Sequence, residues 1–346
     1  MNRVGEVIET ARRARGLTQS ELASVAGVTQ AALSRYENGL RDPEEDALER
    51  VAEALGVTPT FLEHAGRKHG GMAVEAHMRR RATAPPGVWR RLEAQLNMYR
   101  WHASHLFEEV TVNAEQHVPF IDVLEADPED AARLVRAQWR MPIGPVRDLV
   151  GWLESAGCLV FVEDFGSPRV DGVSQWIGDH PVILVNANAP ADRMRLTLAH
   201  ELGHLVMHTG VTAGQDVEAE AQVFAGEFLV PASVVKPALR NLKPAQLLAL
   251  KLEYGVSMQA LVERAFHLGV LSPVERTRIY KLFSARGWRT SEPGSEDIPA
   301  EHPKLSSTIA ESLLSRGLNA DEVATIAGFA SASDNALFTG RGLRAV

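Results

Sequence analysis

The feature that most constrains this chain is a helical segment in which metal-binding side chains interrupt an apolar pattern. Residues 198–208 read LAHELGHLVMH and place His200, Glu201, His204 and His208 among apolar neighbours. The apolar positions recur at three- and four-residue spacing, at Met194, Leu198, Leu202 and Leu205. This periodicity predicts an amphipathic helix that carries three imidazoles and a carboxylate where apolar residues would pack better.

The spacing within this helix matches a metal site. Residues four apart lie one turn above each other, so His200 and His204 project from one face, as two nitrogen ligands of one ion would. Glu201 lies one position round, within reach of a water on that metal. This is the H-E-x-x-H arrangement of two zinc ligands and a general base. We expect His208 to be a satisfied helix-end residue outside the ligand set, and Asp192 to cap the helix start.

A zinc site of this kind needs a third protein ligand. The next helical stretch, residues 216–231, offers Glu218 and Glu220. Their directions differ by about 200° around a helix, so only one of them can easily face the metal. We favour Glu218, because Gln222 lies one turn further on and could supply an outer hydrogen bond. Glu220 stays open as the alternative.

Composition limits the class of protein. The 346 residues include one cysteine, Cys158, and carry a formal net charge of −8. A single cysteine excludes both an intramolecular disulfide and a zinc site built from several thiolates. The acidic balance argues against a generally basic nucleic-acid binder, so any such contact must be local. No apolar run approaches the roughly 18 residues of a spanning helix, and the N-terminus lacks a signal-peptide core. We expect a cytoplasmic protein without a membrane partner.

The N-terminal residues carry a second signature. Thr18 is a predicted N-cap that forms a capping box with Glu21, and Thr29 is predicted to cap a second helix. Gly27 lies between the two, which predicts a helix-turn-helix unit. The outward residues of the second helix are types that reach base edges and phosphates, and one residue of the first helix could support them. The candidate DNA-binding residues are Gln19, Thr29, Gln30, Ser34 and Arg35.

Charge argues that this unit binds DNA weakly by itself. Residues 1–65 contain seven arginines and eleven acids, a net charge of 7 − 11 = −4, whereas affinity for the phosphate backbone needs basic residues. The alternative is a helical module that binds a protein. Residues 77–100 carry six arginines and one acid, and we interpret them as a helical connector rather than a second DNA-facing patch.

Changes in composition divide the chain. Residues 64–71 (HAGRKHGG) are rich in glycine, and residues 291–303 (SEPGSEDIPAEHP) are proline-rich and acidic, so both are predicted linkers. The runs CLVFVE and PVILVNAN are predicted strands. The predicted fold class is α+β, mainly α with a small β-sheet. The predicted regions are 1–64, the helix-turn-helix domain; 65–150, a helical connector; 151–290, the domain with the metal motif; and 291–346, a linker and a small helical tail.

The segments TLAHELGHLVMH and EAEAQVFAGEFLVP, in this order, resemble the ImmA/IrrE family of metallopeptidases over about residues 150–290. The resemblance implies a zincin-like metallopeptidase domain, a Zn²⁺ cofactor and hydrolysis of peptide bonds. It implies His200, His204 and Glu218 as zinc ligands. It also implies Glu201 as the catalytic base, while a glutamine stands at position 222 where the family usually has Asn or Asp.

Residues 4–62, including ENGLRDP after the second helix, resemble the XRE (Cro/C1-type) helix-turn-helix family. This resemblance implies binding to a double-stranded DNA operator. Together, the two resemblances predict a transcription regulator whose zinc endopeptidase cleaves a protein substrate, expected to be a partner repressor. The alternative is a regulator whose metallopeptidase fold senses a metal or ligand without cleaving. A homodimer is compatible with the sequence.

Three further expectations concern details. The strand PVILVN is expected to offer its edge to an extended peptide substrate. Tyr254 and Arg264 are candidate oxyanion stabilisers, although structural roles are the preferred interpretation. Residues 15–28 (RGLTQSELASVAGV) and 316–329 (RGLNADEVATIAGF) align without gaps, with seven identical positions. We interpret the tail as a degenerate copy that lost base reading and serves as a dimerising or docking hairpin.

Overall fold

The computed structural model describes residues 4–65, 86–110, 114–168, 170–177, 180–208 and 216–335. Within these ranges, helices accompany one three-stranded sheet, which confirms the α+β class. Most of the predicted linker at 64–71 lies outside the described residues. None of the helices in these ranges combines the length and the apolar character that a bilayer crossing requires.

The first five helices form the N-terminal bundle. They are α1 (Val4–Ala14), α2 (Gln19–Val25), α3 (Gln30–Glu37), α4 (Glu45–Ala54) and α5 (Pro59–His64). Thr18 caps α2 and shares a capping box with Glu21, and Thr29 caps α3, so both predicted caps are confirmed. The predicted turn between them is confirmed as well, with Gly27 at a φ of 63°. α2 and α3 are therefore the helix-turn-helix unit.

A small sheet follows three connecting helices. The helices are α6 (Pro86–Glu109), α7 (Pro128–Gln138) and α8 (Leu149–Ser155), and the strands are β1 (Leu159–Glu163), β2 (Gly172–Ile177) and β3 (His180–Asn186). The strand order is β1-β3-β2, with β3 parallel to β1 and antiparallel to β2. The segment PVILVN is β3, so both of its edges are already paired. The expectation that it offers an edge to a peptide is wrong.

The remaining helices follow the sheet. They are α9 (Ala191–Met207), α10 (Val217–Leu229), α11 (Ala232–Val235), α12 (Pro244–Tyr254), α13 (Met258–His267), α14 (Pro273–Ala285), α15 (Leu305–Ser315) and α16 (Ala320–Ile326). α9 and α10 approach closely at Gly203, where a Cβ atom would lie 3.1 Å from the ring of Phe224 and 3.3 Å from the Cα of Ala221. This contact places the metal motif of α9 beside the start of α10.

The sheet lies between two hydrophobic cores. On one face, Ile183 and Val185 pack in a core built mainly by α7 to α10, α12 and α13. On the other face, Val182 and Leu184 pack against α6, α15 and α16. Because alternate residues of a strand point to opposite faces, the continuous apolar run of β3 is explained by burial on both sides.

The proline-rich segment 291–303, which we predicted as a linker, packs against the helices of the second half. Lys251 is completely buried and forms ion pairs with Asp192 at 2.6 Å and Glu292 at 2.9 Å. Glu292 also accepts the backbone N–H groups of Met258 and Gln259, at the start of α13. The predicted capping role of Asp192 is wrong, because α9 begins after Pro190 without a side-chain cap.

The C-terminal helices dock onto the N-terminal bundle. α16 begins with a capping box of Asn319 and Glu322, as α2 does with its own pair. After α16, the chain pairs with the loop between α4 and α5: Thr58 N–H donates to Gly328 O at 3.0 Å. His102 of α6 stacks between Phe61 and Phe329, with ring centroids 4.3 Å and 3.8 Å away. The end of the C-terminal segment therefore docks within the chain, while its interpretation as a degenerate copy of residues 15–28 stays a prediction.

Candidate metal centre and nucleic-acid interface

The two histidines of the H-E-x-x-H motif face one another on α9. The Nε2 atoms of His200 and His204 lie 3.1 Å apart, as the one-turn spacing predicts. His204 is 1% exposed, whereas His200 is partly accessible. The pair therefore combines a buried histidine with one that solvent can reach.

Glu218, near the start of α10, completes the group. Its two carboxylate oxygens lie 3.5 Å from His200 Nε2 and 3.5 Å from His204 Nε2. Burial raises the pKa of Glu218, but hydrogen bonding to His200 and His204 outweighs it and holds the pKa below its usual range. The carboxylate is therefore ionised, as a metal ligand must be.

These three side chains fit a catalytic zinc site. Their ligand atoms all lie within 4.8 Å of one another. Ligand atoms about 2.0–2.1 Å from a tetrahedral zinc lie roughly 3.4 Å from each other, and the distances here are 3.1 Å and 3.5 Å. Two imidazole nitrogens and one carboxylate are also a donor set of catalytic rather than structural zinc sites.

Behind the ligands lies a relay of two further side chains. His204 Nδ1 is 3.0 Å from His208 Nδ1, and His208 Nε2 is 2.9 Å from Glu220 Oε2. The structure thus gives the two glutamates of α10 different places, with Glu218 at the histidine pair and Glu220 behind it. We did not predict the contact between His208 and His204. The four-residue spacing that links His200 to His204 also links His204 to His208, and this signal could have found it.

Glu201 lies on the sheet side of α9. It is 6% exposed, and its Oε2 accepts a hydrogen bond from the hydroxyl of Ser174 at 2.7 Å. Ser174 is on β2, and Trp176 of the same strand donates its indole N–H to Leu205 O at 3.1 Å. Sequence reasoning missed Ser174, because the two residues are 27 positions apart and meet only through the packing of β2 on α9.

Close packing at the start of β2 makes the position of Glu201 specific. A Cβ atom on Gly172 would lie 2.5 Å from the side chain of Thr197 and 3.2 Å from the Cγ of Glu201. Only glycine therefore lets the strand approach this face of α9. The carboxylate of Glu201 is held in a narrow space between strand and helix.

The two candidate oxyanion stabilisers are engaged elsewhere. Arg264 is buried, forms an ion pair with Glu227 and another with Glu129 at 2.7 Å, and donates to Val230 O. Tyr254 is 3% exposed and packs in the main core. Both placements agree with the structural roles that we preferred.

In the N-terminal bundle, a polar chain fixes the start of α3. The side-chain amide of Gln30 donates to Gln19 at 2.9 Å, and Gln19 donates to Glu37 at 2.8 Å. Glu37 is buried and receives two hydrogen bonds from Arg12, at 2.6 Å and 2.8 Å. This series of hydrogen bonds links α1, α2 and α3, so the orientation of Gln30 depends on groups in all three helices.

The other candidate DNA-binding residues are spread along α3, from its N-cap Thr29 to Arg35 in its last turn. Thr29 and Arg35 are exposed, and Ser34 is half-buried with its carbonyl accepting from Asn38 at 2.7 Å. Ala31 is exposed as well and was not among the predicted residues. A methyl group at this place is a type that contacts the methyl of thymine, so the exposed face of α3 combines amide, guanidinium and methyl groups.

Comparison with known proteins identifies the families whose sequences match the regions of these two sites. Residues 8–62 match the family described as helix-turn-helix, and residues 153–266 match the Peptidase M78 family, described as IrrE N-terminal-like domain. An uncharacterized HTH-type transcriptional regulator of Sinorhizobium fredii is 42% identical over 59 residues, which is 17% of this chain and 77% of the relative. The chain belongs to the helix-turn-helix regulators. Its second half contains an ImmA/IrrE-like metallopeptidase domain.

Both resemblances drawn from the sequence are therefore confirmed. His200, Glu201, His204 and Glu218 all lie within the range that matches the metallopeptidase family. This helix-turn-helix regulator is accordingly a DNA-binding transcription regulator that carries a metallopeptidase-like domain.

Proposed function

We propose that this regulator is a zinc-dependent endopeptidase that cleaves a partner repressor and so changes the transcription of the genes that either protein controls. One observation carries the proposal. His200, His204 and Glu218 converge at the spacing of zinc ligands, and the adjacent Glu201 accepts a hydrogen bond from Ser174 and forms no ion pair with any residue that the structure describes. A site that only held a metal would not need this carboxylate.

Each side chain has a role in this proposal. Zinc, when bound by His200, His204 and Glu218, would lower the pKa of a water to about 7 and polarise the scissile carbonyl. Glu201 takes the proton of the attacking water and returns it to the leaving amine. Ser174 donates to one oxygen of this carboxylate, so the other oxygen is the one that exchanges the proton. His208 and Glu220 hold the imidazole of His204 in its orientation.

β2 is the strand best suited to receive the substrate. Among the described residues it pairs with β3 alone, which leaves its outer edge for an extended peptide. Ser174 lies on this strand and contacts Glu201. A peptide added to β2 would therefore run past the general base, and cleavage would require a substrate segment that can become extended.

DNA binding is assigned to the N-terminal 64 residues, with α3 in the major groove. Gln30 and Arg35 would read bases, Thr29 and Ser34 would contact bases or phosphates, and Gln19 would orient Gln30. The acidic residues between positions 42 and 53 lie largely on α4, outside α3. We assign residues 65–150 to the connector and 151–290 to the peptidase. We assign residues 291–346 to a linker and a small helical tail, of which the structure describes residues 291–335.

A second function, sensing without cleavage, is favoured by one contact. α16 and the residues after it dock on the N-terminal bundle through Gly328, Phe329 and His102, and the same hairpin packs on the sheet of the metallopeptidase-like domain. A change of packing at the metal site could therefore reach the DNA-binding bundle without any proteolysis.

Glu201→Gln separates the two functions. The change keeps the shape of the side chain and removes its basicity, and it leaves all three proposed ligands in place. We expect zinc content by elemental analysis to stay at the wild-type level, and cleavage to fall by a factor of about 10² to 10⁴. Mapping of new protein N-termini in cells should find a fragment of a DNA-binding protein with the wild type that is missing with Glu201→Gln.

The control is His204→Ala, which should lose both zinc and cleavage. If Glu201→Gln carries zinc and still gives the wild-type transcriptional response, the peptidase proposal is refuted and the sensor remains.

A further inference from the structure

An apolar cavity of about 220 Å³ lies between α9, α10 and α13. Its wall is mainly aliphatic and aromatic, with Leu196, Val223, Leu229, Val256, Ala260 and Phe266 among the lining residues. Nothing in the proposed mechanism uses this cavity. An apolar cavity of about 150 Å³ is known to hold a benzene-sized molecule, so this one is large enough for a leucine, methionine or phenylalanine side chain.

The two helices that carry the proposed metal ligands, α9 and α10, also line the cavity. Leu196 lies one turn before His200 on α9, and Gln222 lies one turn after Glu218 on α10. One turn of helix is about 5.4 Å. The helix faces that carry the proposed ligands therefore also carry residues of the cavity wall, about one turn further along each helix. This offset is comparable to the distance between a peptide carbonyl and the side chain of a neighbouring residue.

The charged groups at the cavity are neutralised by the protein itself. Arg264 forms ion pairs with Glu227 and Glu129. Glu263 binds Arg276 at 2.9 Å and accepts from Tyr280 at 2.5 Å. Arg264 and Glu263 are therefore already engaged and do not favour an acidic or basic occupant, while an apolar occupant would remove apolar surface from water.

We propose that this cavity is a specificity pocket that takes the large apolar side chain of a substrate residue next to the scissile bond. The inference rests on the proposed peptidase function and names its substrate class: polypeptide segments with leucine, methionine or phenylalanine at that position. Recognition depends on shape and apolar burial, and Ala260 of α13 is a small residue of the lining at which a larger side chain would reduce the volume.

Binding and cleavage are measured separately to test the pocket. The probes are peptide hydroxamates, which bind zinc without being cleaved and differ only in the side chain next to the hydroxamate. On the zinc-loaded full chain, the leucyl probe should bind at least about 10-fold more tightly than the aspartyl probe, as burial of one large aliphatic side chain provides. Ala260→Phe should fill the pocket, weaken the leucyl probe about 10-fold and leave the glycyl probe within twofold.

The matched control is Ala249→Phe, an exposed alanine of α12 outside the cavity lining, which should change neither probe. If the leucyl probe is preferred but no peptide is hydrolysed, the pocket stands and the peptidase proposal falls. If leucyl and aspartyl probes bind equally, and hydrolysis does not depend on the residue next to the scissile bond, the pocket proposal is refuted and the peptidase proposal remains. A chain that binds no zinc removes both.

Discussion

The relay behind the metal centre permits a quantitative prediction. A zinc ligand must present a lone pair, so His204 must coordinate through Nε2, the atom that faces His200 and Glu218. Its proton then lies on Nδ1, which is 3.0 Å from His208 Nδ1. His208 must accept this hydrogen bond with its Nδ1 atom, and its protonated Nε2 must donate a hydrogen bond to Glu220, 2.9 Å away. One set of tautomers satisfies every contact.

Removal of the relay should weaken zinc binding without removing a ligand. Loss of an outer-shell partner typically costs 10- to 100-fold in metal affinity, which is about 1.4 to 2.7 kcal/mol. His208→Ala leaves the imidazole of His204 without its acceptor, so we expect an effect near the upper end. Glu220→Gln keeps an oxygen acceptor and removes only the charge, so its effect should be near tenfold. Glu218→Ala removes a proposed ligand and should exceed both.

The measurement is the zinc dissociation constant from competition with a chromophoric chelator at pH 7.5, together with thermal unfolding of each zinc-free variant. His64→Ala, in α5 of the N-terminal bundle, is the matched histidine control and should leave the constant unchanged. A dissociation constant within twofold of the wild type for His208→Ala would refute the relay. A larger loss for Glu220→Gln than for Glu218→Ala would reverse the assignment of the third ligand.

Two further predictions concern the N-terminal bundle and its docking. Gln30→Ala and Arg35→Ala should each cost about 1–3 kcal/mol in operator binding by fluorescence anisotropy, and an equal loss on scrambled DNA would assign them to the backbone instead. Burial lowers the pKa of His102 to about 3. The unfolded chain takes up this proton below about pH 6.5, so stability is lost as pH falls, by up to about 5 kcal/mol at pH 3. Urea unfolding should show this loss, and His102→Phe should flatten it.

The parts of the structure that the sequence predicts well are those set by neighbours along the chain. The caps at Thr18 and Thr29 depend on hydrogen bonds that reach three residues. The close approach of His200 and His204 follows from their spacing of four residues, which is about one turn of helix. Helical angles predict that only one of Glu218 and Glu220 faces the metal, and the neighbouring Gln222 favours Glu218. Only the packing of α9 on α10 shows where each carboxylate lies.

The parts that the sequence does not predict depend on the order of the sheet. Two apolar strands could be recognised as strands, but local pattern does not say which lies in the middle. β3 takes the central place, so β2 is one of the two edge strands. The partner of Glu201 lies on β2 and not on either of the two apolar strands. Ser174 carries no signal of its own, because an isolated serine is common in any loop or strand.

Composition also gives a wrong prediction for residues 291–303, where buried carboxylates attach the segment to the helices. Residues 291–303 have the proline, glycine and acid content of a linker, yet Glu292 and Glu301 bind groups of the helical core. Each carboxylate satisfies backbone N–H groups at the start of a helix, at Met258 and at Val150. An acidic residue that caps a distant helix cannot be distinguished by composition from one that is solvated.

The docking of the N-terminal bundle leaves its DNA-reading face accessible. The hairpin contacts the loop before α5, at Thr58, and the ring of Phe61, whereas Gln30 and Arg35 lie on the exposed face of α3. The docked arrangement is therefore compatible with operator binding, and proteolysis need not await release of the bundle. If the proposed substrate is a repressor bound at the same operator, DNA binding would raise its effective concentration around the metallopeptidase-like domain. On that proposal, one chain carries both sites because the first brings the substrate of the second close.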